Sequence, residues 1–367
     1  MNKTGFGFLR PPRLDAGDEK STDYALLNTL VDRFLELGGT YFDTAYTYLG
    51  GASEEAIRRC LVERHPRDSF QLADKLPGYQ VKSREECQTY LEESLRRCGV
   101  EYFDVYLLHW LNEKNYALAE QYGEFAFLQA CKATGKARKI GFSYHDSPQL
   151  LDTILTAHPE VDYVQLQINY LDWDSPSLEA RKCYEVACKH GKSVIVMEPV
   201  KGGSLVNLPQ EAEVLLKSAA PEESTASWAI RFAASLPQVS IVLSGMNAME
   251  QIEDNLRPFS PLMAVEREIL DSAAKIIRAN TAVPCTGCGY CLPHCPIEMP
   301  IPRYFSLYNE YVRNPGEDWK MQHAYDTLTN GTVAASACLS CRQCQEHCPQ
   351  KLTIPEYLQK AAGIFEK

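Results

Sequence analysis

Residues 69–110 read SFQLADKLPGYQVKSREECQTYLEESLRRCGVEYFDVYLLHW. An apolar run, Ser69 to Ala73 with Lys75 behind it, is followed by a long polar-studded segment and a second run, Phe103 to Leu108 with His109 behind it. Short apolar runs read as buried strands and the longer segment as a helix, so the unit is strand, helix, strand. A connection of that length joins parallel strands.

The same cycle recurs on both sides. Gly5 to Leu9 reads as a first strand; Tyr24, Leu27, Val31, Phe34 and Leu35 follow at helical spacing until Gly38-Gly39, and Thr40 to Phe42 ends at Asp43. Beyond residue 110 come Lys139 to Ser143, Tyr163 to Gln167, Ser193 to Met197 and Ser240 to Leu243. Eight strands alternating with helices predict a closed (β/α)8 barrel over residues 1–280, close to the ~250 residues usual for that fold. No GxGxxG follows the first strand, which argues against an open dinucleotide-binding sheet. Chemistry in such a barrel belongs at the C-terminal ends of the strands. Asp43, Lys75 and His109 follow their strands at intervals of 32 and 34 residues, so all three are expected to face one mouth.

After Asn255 the pattern changes. A Pro-flanked turn (RPFSP, 257–261) precedes an amphipathic helix around Val265 to Arg278, and TAVP (281–284) leads into a cysteine-rich tail. The expected boundary lies near residue 280, with a second domain over 281–367. Cys285, Cys288, Cys291 and Cys295-Pro296 spell C-x2-C-x2-C-x3-C-P, and Cys338, Cys341, Cys344 and Cys348-Pro349 spell it again. Three thiolates on one tight loop can each take a different iron of a cubane, while the Cys before Pro reaches the other cluster. This assigns one 4Fe-4S cluster to Cys285, Cys288, Cys291 and Cys348, and a second to Cys338, Cys341, Cys344 and Cys295. Tetrahedral zinc is the alternative for paired CxxC motifs, but it has no use for the third Cys and the Cys-Pro. The tail resembles the two-cluster bacterial ferredoxins over about residues 283–352. Its intervening segment, Ile297 to Ala337, is longer than in compact members and reads as helical, so a small, mainly helical ferredoxin-like domain is expected.

Composition narrows the function classes. Hydrophobic residues are 45% and charged residues 23% of the chain, near the globular average. The net charge of −11 and the lack of a Lys/Arg stripe argue against nucleic acid. The N-terminal MNKTGFGFLRPPRLDAGDEK has no apolar h-region, and no stretch approaches 18 apolar residues, so a soluble, unexported protein with no membrane partner is expected. Of fourteen cysteines eight form the tail motifs; Cys60, Cys87, Cys98, Cys131, Cys183 and Cys188 lie in helix-like stretches and are expected as buried thiols. Oxygen-labile clusters without an export signal suit a cytoplasmic location.

Three further stretches make the barrel's identity specific. FDTAYTYLGGASEEAI (42–57), LADKLP (72–77) and DVYLLHW (104–110) are similar to the aspartate-tyrosine, lysine and histidine segments of the aldo-keto reductase family, over residues 4 to about 257. The resemblance implies that Tyr48 is a general acid, Lys75 the cation that favours its phenolate, Asp43 the counter-ion of Lys75, and His109 the group that orients a carbonyl. A phenol starts near pKa ~10, so protonating a carbonyl near neutral pH needs such an adjacent ammonium. GFS (141–143) and VQLQIN (164–169) resemble the segments that hold a nicotinamide, which implies Ser143 and Gln165 as contacts. Ser244-Gly245-Met246 is expected to open a helix whose N–H groups take a phosphate, with Asn255 near the adenine. Met197 stands where many members carry a stacking aromatic, and Tyr144-His145 where an Asn follows the Ser. No Arg precedes Asn255, so NADP preference is not implied, although Lys201 and Arg257 are candidates to compensate. The family's N-terminal hairpin is missing. Tyr46, Tyr48, Trp110 and Tyr144 suggest an aromatic-lined mouth.

A nicotinamide gives up two electrons as hydride, whereas a 4Fe-4S cluster takes one at a time. The favoured expectation is an NAD(P)H-dependent reductase of a small carbonyl substrate, carrying two clusters that exchange electrons with a partner protein. A second is an electron-transfer module whose barrel binds FMN or a partner. A third treats the clusters as structural staples or redox sensors.

Overall fold

Each apolar run alternates inward and outward residues, and eight such runs close on themselves. In the computed structural model, which describes residues 3–366 except 16, 17, 19, 20, 259, 314, 315 and 317, the strands are β1 (Thr4–Gly7), β2 (Tyr41–Asp43), β3 (Gln71–Leu76), β4 (Phe103–Leu111), β5 (Ala137–Tyr144), β6 (Tyr163–Gln167), β7 (Ser193–Met197) and β8 (Val239–Ser244). They run parallel in sequence order, and β8 pairs with β1 through Thr4–Val242 and Phe6–Ser244 to close the barrel. Tyr41, Ala73, Val105, Leu107, Ile195 and Leu243 fill its interior. Because side chains repeat every two residues along a strand, Asp43, Lys75 and His109 share that inner face. The last two lie within β3 and β4, not behind them as expected, since the strands run on past their apolar stretches.

The outward residues bind the helical layer. Phe42 packs edge-on against Phe34, ring centroids 5.1 Å apart, and against Phe70 at 6.2 Å. Helix Tyr24–Glu36 presents Phe34 with Leu27, Leu30 and Val31, and Asp23 caps it by accepting from the Leu26 N–H. Cys60, Cys87, Cys98, Cys131 and Cys183 are buried and Cys188 half-buried.

Contacts divide the chain into two units. One comprises Met1–Asp174, Glu179–Pro199 and Ala226–Leu262; the other comprises Ser175–Leu178, Val200–Thr225 and Met263–Lys367. Helix Ala264–Ala279, expected at the end of the barrel domain, therefore belongs to the second unit. Its buried stripe of Leu270, Ala273, Ala274 and Ile277 packs with helix Gln210–Ala219, which buries Ala212 and Leu216. The core of the second unit gathers Tyr304, Phe305, Tyr325, Leu358 and Phe365 from helices Ile301–Arg313, Asp318–Thr329 and Ile354–Phe365. The first two of these helices fill the segment between the cysteine motifs, as its pattern predicts. Among the described residues no helix is long and apolar enough to cross a membrane.

Candidate functional site

The barrel's polar cluster starts from one buried ion pair. Lys75 Nζ donates to Asp43 Oδ1 and to the Thr44 carbonyl, each at 2.6 Å, with side chains 1% and 4% exposed for Lys75 and Asp43. Burial pushes the Asp43 carboxyl above the usual range while the charge of Lys75 pulls it back. Its second oxygen has no hydrogen-bond partner.

Tyr48 reaches this pair through a turn. The 3-10 segment Tyr48–Gly51 carries Leu49, Gly50 and Gly51 at φ 54°, 62° and 94°. Glycine suits the last position because a φ of 94° is one that L side chains rarely adopt. The turn brings the Tyr48 ring centroid 4.8 Å from Lys75 Nζ and 5.6 Å from the His109 ring, edge-on. Asp43, Tyr48, Lys75 and His109 thus converge. Burial first, then the charges of Lys75 and His145, holds the His109 pKa well below its usual value. The imidazole is therefore neutral near pH 7, and its Nδ1 has no hydrogen-bond partner.

Beyond His109 the strand kinks: register with β5 shifts between Leu108 and Leu111, and Trp110 has φ 61°. The kink is held by two bonds. The Trp110 N–H donates to Ser143 Oγ at 2.7 Å, and Asn115 Nδ2 donates to the Trp110 carbonyl at 2.7 Å.

Two of the four expected mouth aromatics point elsewhere. Tyr46 donates to Glu93 Oε2 at 2.7 Å and lies beneath Arg97, and Tyr144 packs on outward-facing Phe142 while donating to the Ser147 carbonyl. Tyr79, missed in the sequence, joins Tyr48 and Trp110 instead. Its ring lies 5.9 Å from His109 and 5.7 Å from Trp110, and its hydroxyl donates to Thr47 Oγ1. The signal for it was Pro77-Gly78, which turns the chain directly after the lysine strand.

Ser143 and Gln165 are partners in the β5–β6 register. Gln165 Nε2 donates to Met197 Sδ at 3.8 Å, and its Oε1 is buried without a partner. Asn255 Nδ2 donates to Ser244 Oγ at 2.9 Å. The helix expected to open at Ser244-Gly245-Met246 starts later: Ser244 ends β8, Met246 is buried, and helix Met249–Asn255 follows a non-helical stretch. That stretch is held by Gln251, whose Oε1 accepts the Asn247 N–H. Ser244 is therefore strand, and Gly245 and Met246 are loop, not a helix N-terminus. Lys201 is likewise no surface cation: it is 1% exposed and donates to Gln350 Oε1 at 3.0 Å within the second unit. Arg257 lies 3.9 Å from Asp254.

In the second unit the two cysteine motifs interleave. Cys295 lines one pocket with Cys338, Cys341 and Cys344, together with Met299 and Leu358 among others. After burial, the neighbours that push Cys344 up to about 11 are Cys295, Cys338 and Cys341. Cys285, pushed up to about 11, feels Cys288 and Cys348 instead, and Cys291 feels Cys288, Cys285 and Cys348 before Cys344. Each loop thus stands beside the Cys-Pro cysteine of the other. Asn309, another residue missed in the sequence, ties Val283 by both its N–H and its carbonyl, at 2.8 and 2.7 Å, just ahead of Cys285.

Comparison with known proteins agrees with both halves. Residues 13–275 match the aldo/keto reductase family, and residues 284–353 match the 4Fe-4S dicluster domain. An aldo-keto reductase of Mycolicibacterium vanbaalenii is 28% identical over 232 residues, 61% of this chain and 75% of that one. Methylglyoxal reductase DkgB of Escherichia coli O157:H7 is 25% identical over 67% of this chain and 86% of its own length. Among solved structures, the holo form of an aldo-keto reductase from Bacillus halodurans superposes with a TM-score of 0.59 at 23% identity, covering 75% of this chain and 92% of that one. An aldo-keto reductase from Klebsiella pneumoniae in complex with NADPH gives 0.57 at 20% identity, covering 74% and 90%.

Proposed function

The chain belongs to the aldo/keto reductase family and is an oxidoreductase, and from that premise we propose that it reduces a small aldehyde or ketone with NADH or NADPH, on a barrel joined to a module for two 4Fe-4S clusters. The observation that carries this reading is the convergence of Asp43, Tyr48, Lys75 and His109 at one end of the barrel.

The residues present fit the groups that the family implies. Gln165 holds a buried carbonyl oxygen without a partner, beside Ser143 in the register, which suits a carboxamide. Eight thiols in two interleaved sets of four suit two cubanes better than two tetrahedral zinc ions, which have no use for the exchanged Cys-Pro cysteine. When bound, a reduced nicotinamide supplies a hydride, and each cluster supplies one electron at a time.

The chain's own side chains do the rest. Tyr48 donates its phenolic proton to the carbonyl oxygen as that oxygen gains charge. Lys75, anchored by Asp43 and the Thr44 carbonyl, keeps a third N–H and a full positive charge for the phenolate that results. His109 does not act as the acid, because its buried ring is neutral; it orients the carbonyl by a neutral hydrogen bond. Tyr79 and Trp110 flank that histidine and restrict how the substrate enters.

Met197 in place of an aromatic at the end of β7 favours a second reading, in which the barrel binds FMN and passes electrons through the clusters to a partner protein. Anaerobic purification with iron, sulfide and flavin analysis, followed by titration with NADH and NADPH, separates the two. About eight irons, no flavin and nicotinamide oxidation only on adding an aldehyde support the first reading. Stoichiometric flavin with cluster bleaching by a nicotinamide alone supports the second and overturns the first.

A further inference from the structure

Tyr48 sits in a loop whose two ends are tied together. Thr44 follows Asp43 at the end of β2, Ser53 lies in the first turn of helix Ala52–Ile57, and both are fully buried. Their hydroxyl oxygens lie 2.7 Å apart. Ser53 Oγ also lies 2.9 Å from the Phe8 carbonyl oxygen, which can only accept. A serine has one hydroxyl proton, so Ser53 gives it to Phe8 and the Thr44 hydroxyl donates to Ser53. The direction of the chain, Thr44 to Ser53 to Phe8, follows from that count of protons.

Phe8 closes the ring. Its N–H donates to the Asp43 carbonyl at 2.8 Å, so the residue after β1 grips both ends of the loop. Thr44 is held a third way, its N–H donating to the Ala73 carbonyl of β3 at 3.0 Å. The carbonyl of Thr44 is the oxygen that accepts from Lys75 Nζ at 2.6 Å. Between the tied ends, the Tyr48 N–H donates to the Ala45 carbonyl at 3.0 Å, and the Tyr48 ring centroid lies 4.8 Å from the same Nζ. Tyr48 and one anchor of the Lys75 ammonium therefore hang from a single stapled loop, residues 44–53.

We propose that Ser53 is a positioning residue: through Thr44 it sets where the Lys75 ammonium stands relative to the Tyr48 hydroxyl. This rests on Tyr48 being the proton donor of the reading above. Separation matters because an ammonium stabilises a phenolate by Coulomb attraction, which falls with distance and is strong in a dry site. Asp43 alone does not fix that separation. One carboxylate oxygen leaves Nζ free to swing about its bond, whereas the carboxylate and the Thr44 carbonyl together define its place. Without the Ser53 hydroxyl, the Thr44 hydroxyl and the Phe8 carbonyl are stranded in the interior. A buried polar group left unpaired is costly, so the Thr44 segment shifts to satisfy it and carries the carbonyl away from Lys75.

The test is the pH dependence of kcat and kcat/KM of the anaerobically purified full chain, with the nucleotide and aldehyde that wild type turns over fastest. Ser53→Ala, Thr44→Val, Thr44→Ser and the double variant Ser53→Ala/Thr44→Val are compared, beside fluorescence measurement of nucleotide Kd. Reduction needs the phenol protonated, so activity falls as pH rises through the range where the phenol ionises. With the ammonium displaced, the phenol keeps its proton to higher pH. The expected result for Ser53→Ala and Thr44→Val is an alkaline limb moved to higher pH, kcat on the plateau lowered by up to roughly 10²-fold, and nucleotide Kd unchanged. Thr44→Ser, which regains the hydroxyl, regains the wild-type limb relative to Thr44→Val. The double variant is no worse than either single one, because both act through one bond. In Ser53→Ala the neighbouring Glu54 is still pinned by Arg97 at 3.0 Å, which retains the helix; should that variant nonetheless not fold, Thr44→Val removes the same bond from its other end. An alkaline limb unmoved in both single variants, or losses that add in the double variant, overturns the proposal. Tyr48→Phe separates this from the reading beneath it: wild-type turnover in Tyr48→Phe overturns that reading, whereas an inactive Tyr48→Phe beside an unmoved Ser53→Ala limb overturns the role of Ser53 alone.

Discussion

Lys75 Nζ lies 2.6 Å from Asp43 Oδ1, and neither side chain is more than 4% exposed. Strands β2 and β3 are adjacent, and pairing Asp43 with Ala73 in the register sets the carboxylate one pleat from the ammonium. A buried pair adds little net stability, but removing one partner leaves an uncompensated charge in the interior. Lys75→Met is predicted to destabilise the barrel by about 3–5 kcal/mol, measured by urea unfolding. Asp43→Asn should cost less, because its amide still accepts a bond from Lys75. Equal, small effects of both variants would show that the pair is hydrated and not buried.

Much of that site is visible in the sequence, and its limits have physical causes. The eight strands announce themselves because each is a short apolar run ended by a polar residue. Lys75 and His109 look as if they follow their strands because apolar composition stops before the hydrogen-bonded ladder does. Tyr79 escapes notice because nothing about a single Tyr after Pro-Gly says which way the loop folds back. The helix expected to open at Ser244 starts later for a local reason: Gln251 holds Asn247 in a loop, and the helix starts at Met249. Helix Ala264–Ala279 has an apolar stripe that would suit either unit, and sequence pattern does not name the surface it meets.

His109 makes the barrel sensitive to acid. Its folded-state pKa lies well below the ordinary 6.5, through burial first and then Lys75 and His145. Below about pH 6.5 the unfolded chain binds a proton that the folded chain refuses, so stability falls as pH drops. The prediction is that His109→Gln removes about 1.4 kcal/mol per pH unit of that slope. Parallel slopes in wild type and variant, from urea midpoints between pH 4 and 8, would contradict it.

Asp74, the outward neighbour of Lys75, behaves oppositely. It is fully buried, and burial together with the nearby Glu54 carboxylate raises its pKa well above the usual value, while Glu54 is held by Arg97 at 3.0 Å. A raised carboxyl pKa gives stability present below pH ~3.8 and lost as pH rises through the folded value. Asp74→Asn is therefore predicted to cost less than about 1 kcal/mol at pH 7 and to gain relative to wild type at pH 9. Glu54→Gln should be the worse of the two, since it strips Arg97 of its buried partner. The reverse ranking in thermal unfolding would refute this assignment of a protonated Asp74 beside an Arg97-paired Glu54.

The interleaved cysteines make a selective prediction. Cys295→Ala should disturb the cluster of Cys338, Cys341 and Cys344, although it lies in the first motif, and Cys291→Ala the other. Iron analysis with EPR of the dithionite-reduced protein reads this directly. Loss of the first motif's cluster in Cys295→Ala would show that each motif keeps its own four ligands.

The most direct test of the central claim compares wild type with Tyr48→Phe, both purified anaerobically, following NADH and NADPH oxidation with a panel of aldehydes and ketones beside a fluorescence measurement of nucleotide binding. The predicted result is a fall in kcat of about 10²- to 10⁴-fold, with nucleotide Kd and iron content unchanged. A variant that reduces carbonyls as fast as wild type would show that the proton comes from elsewhere and that the convergence of Asp43, Tyr48, Lys75 and His109 is not the catalytic centre.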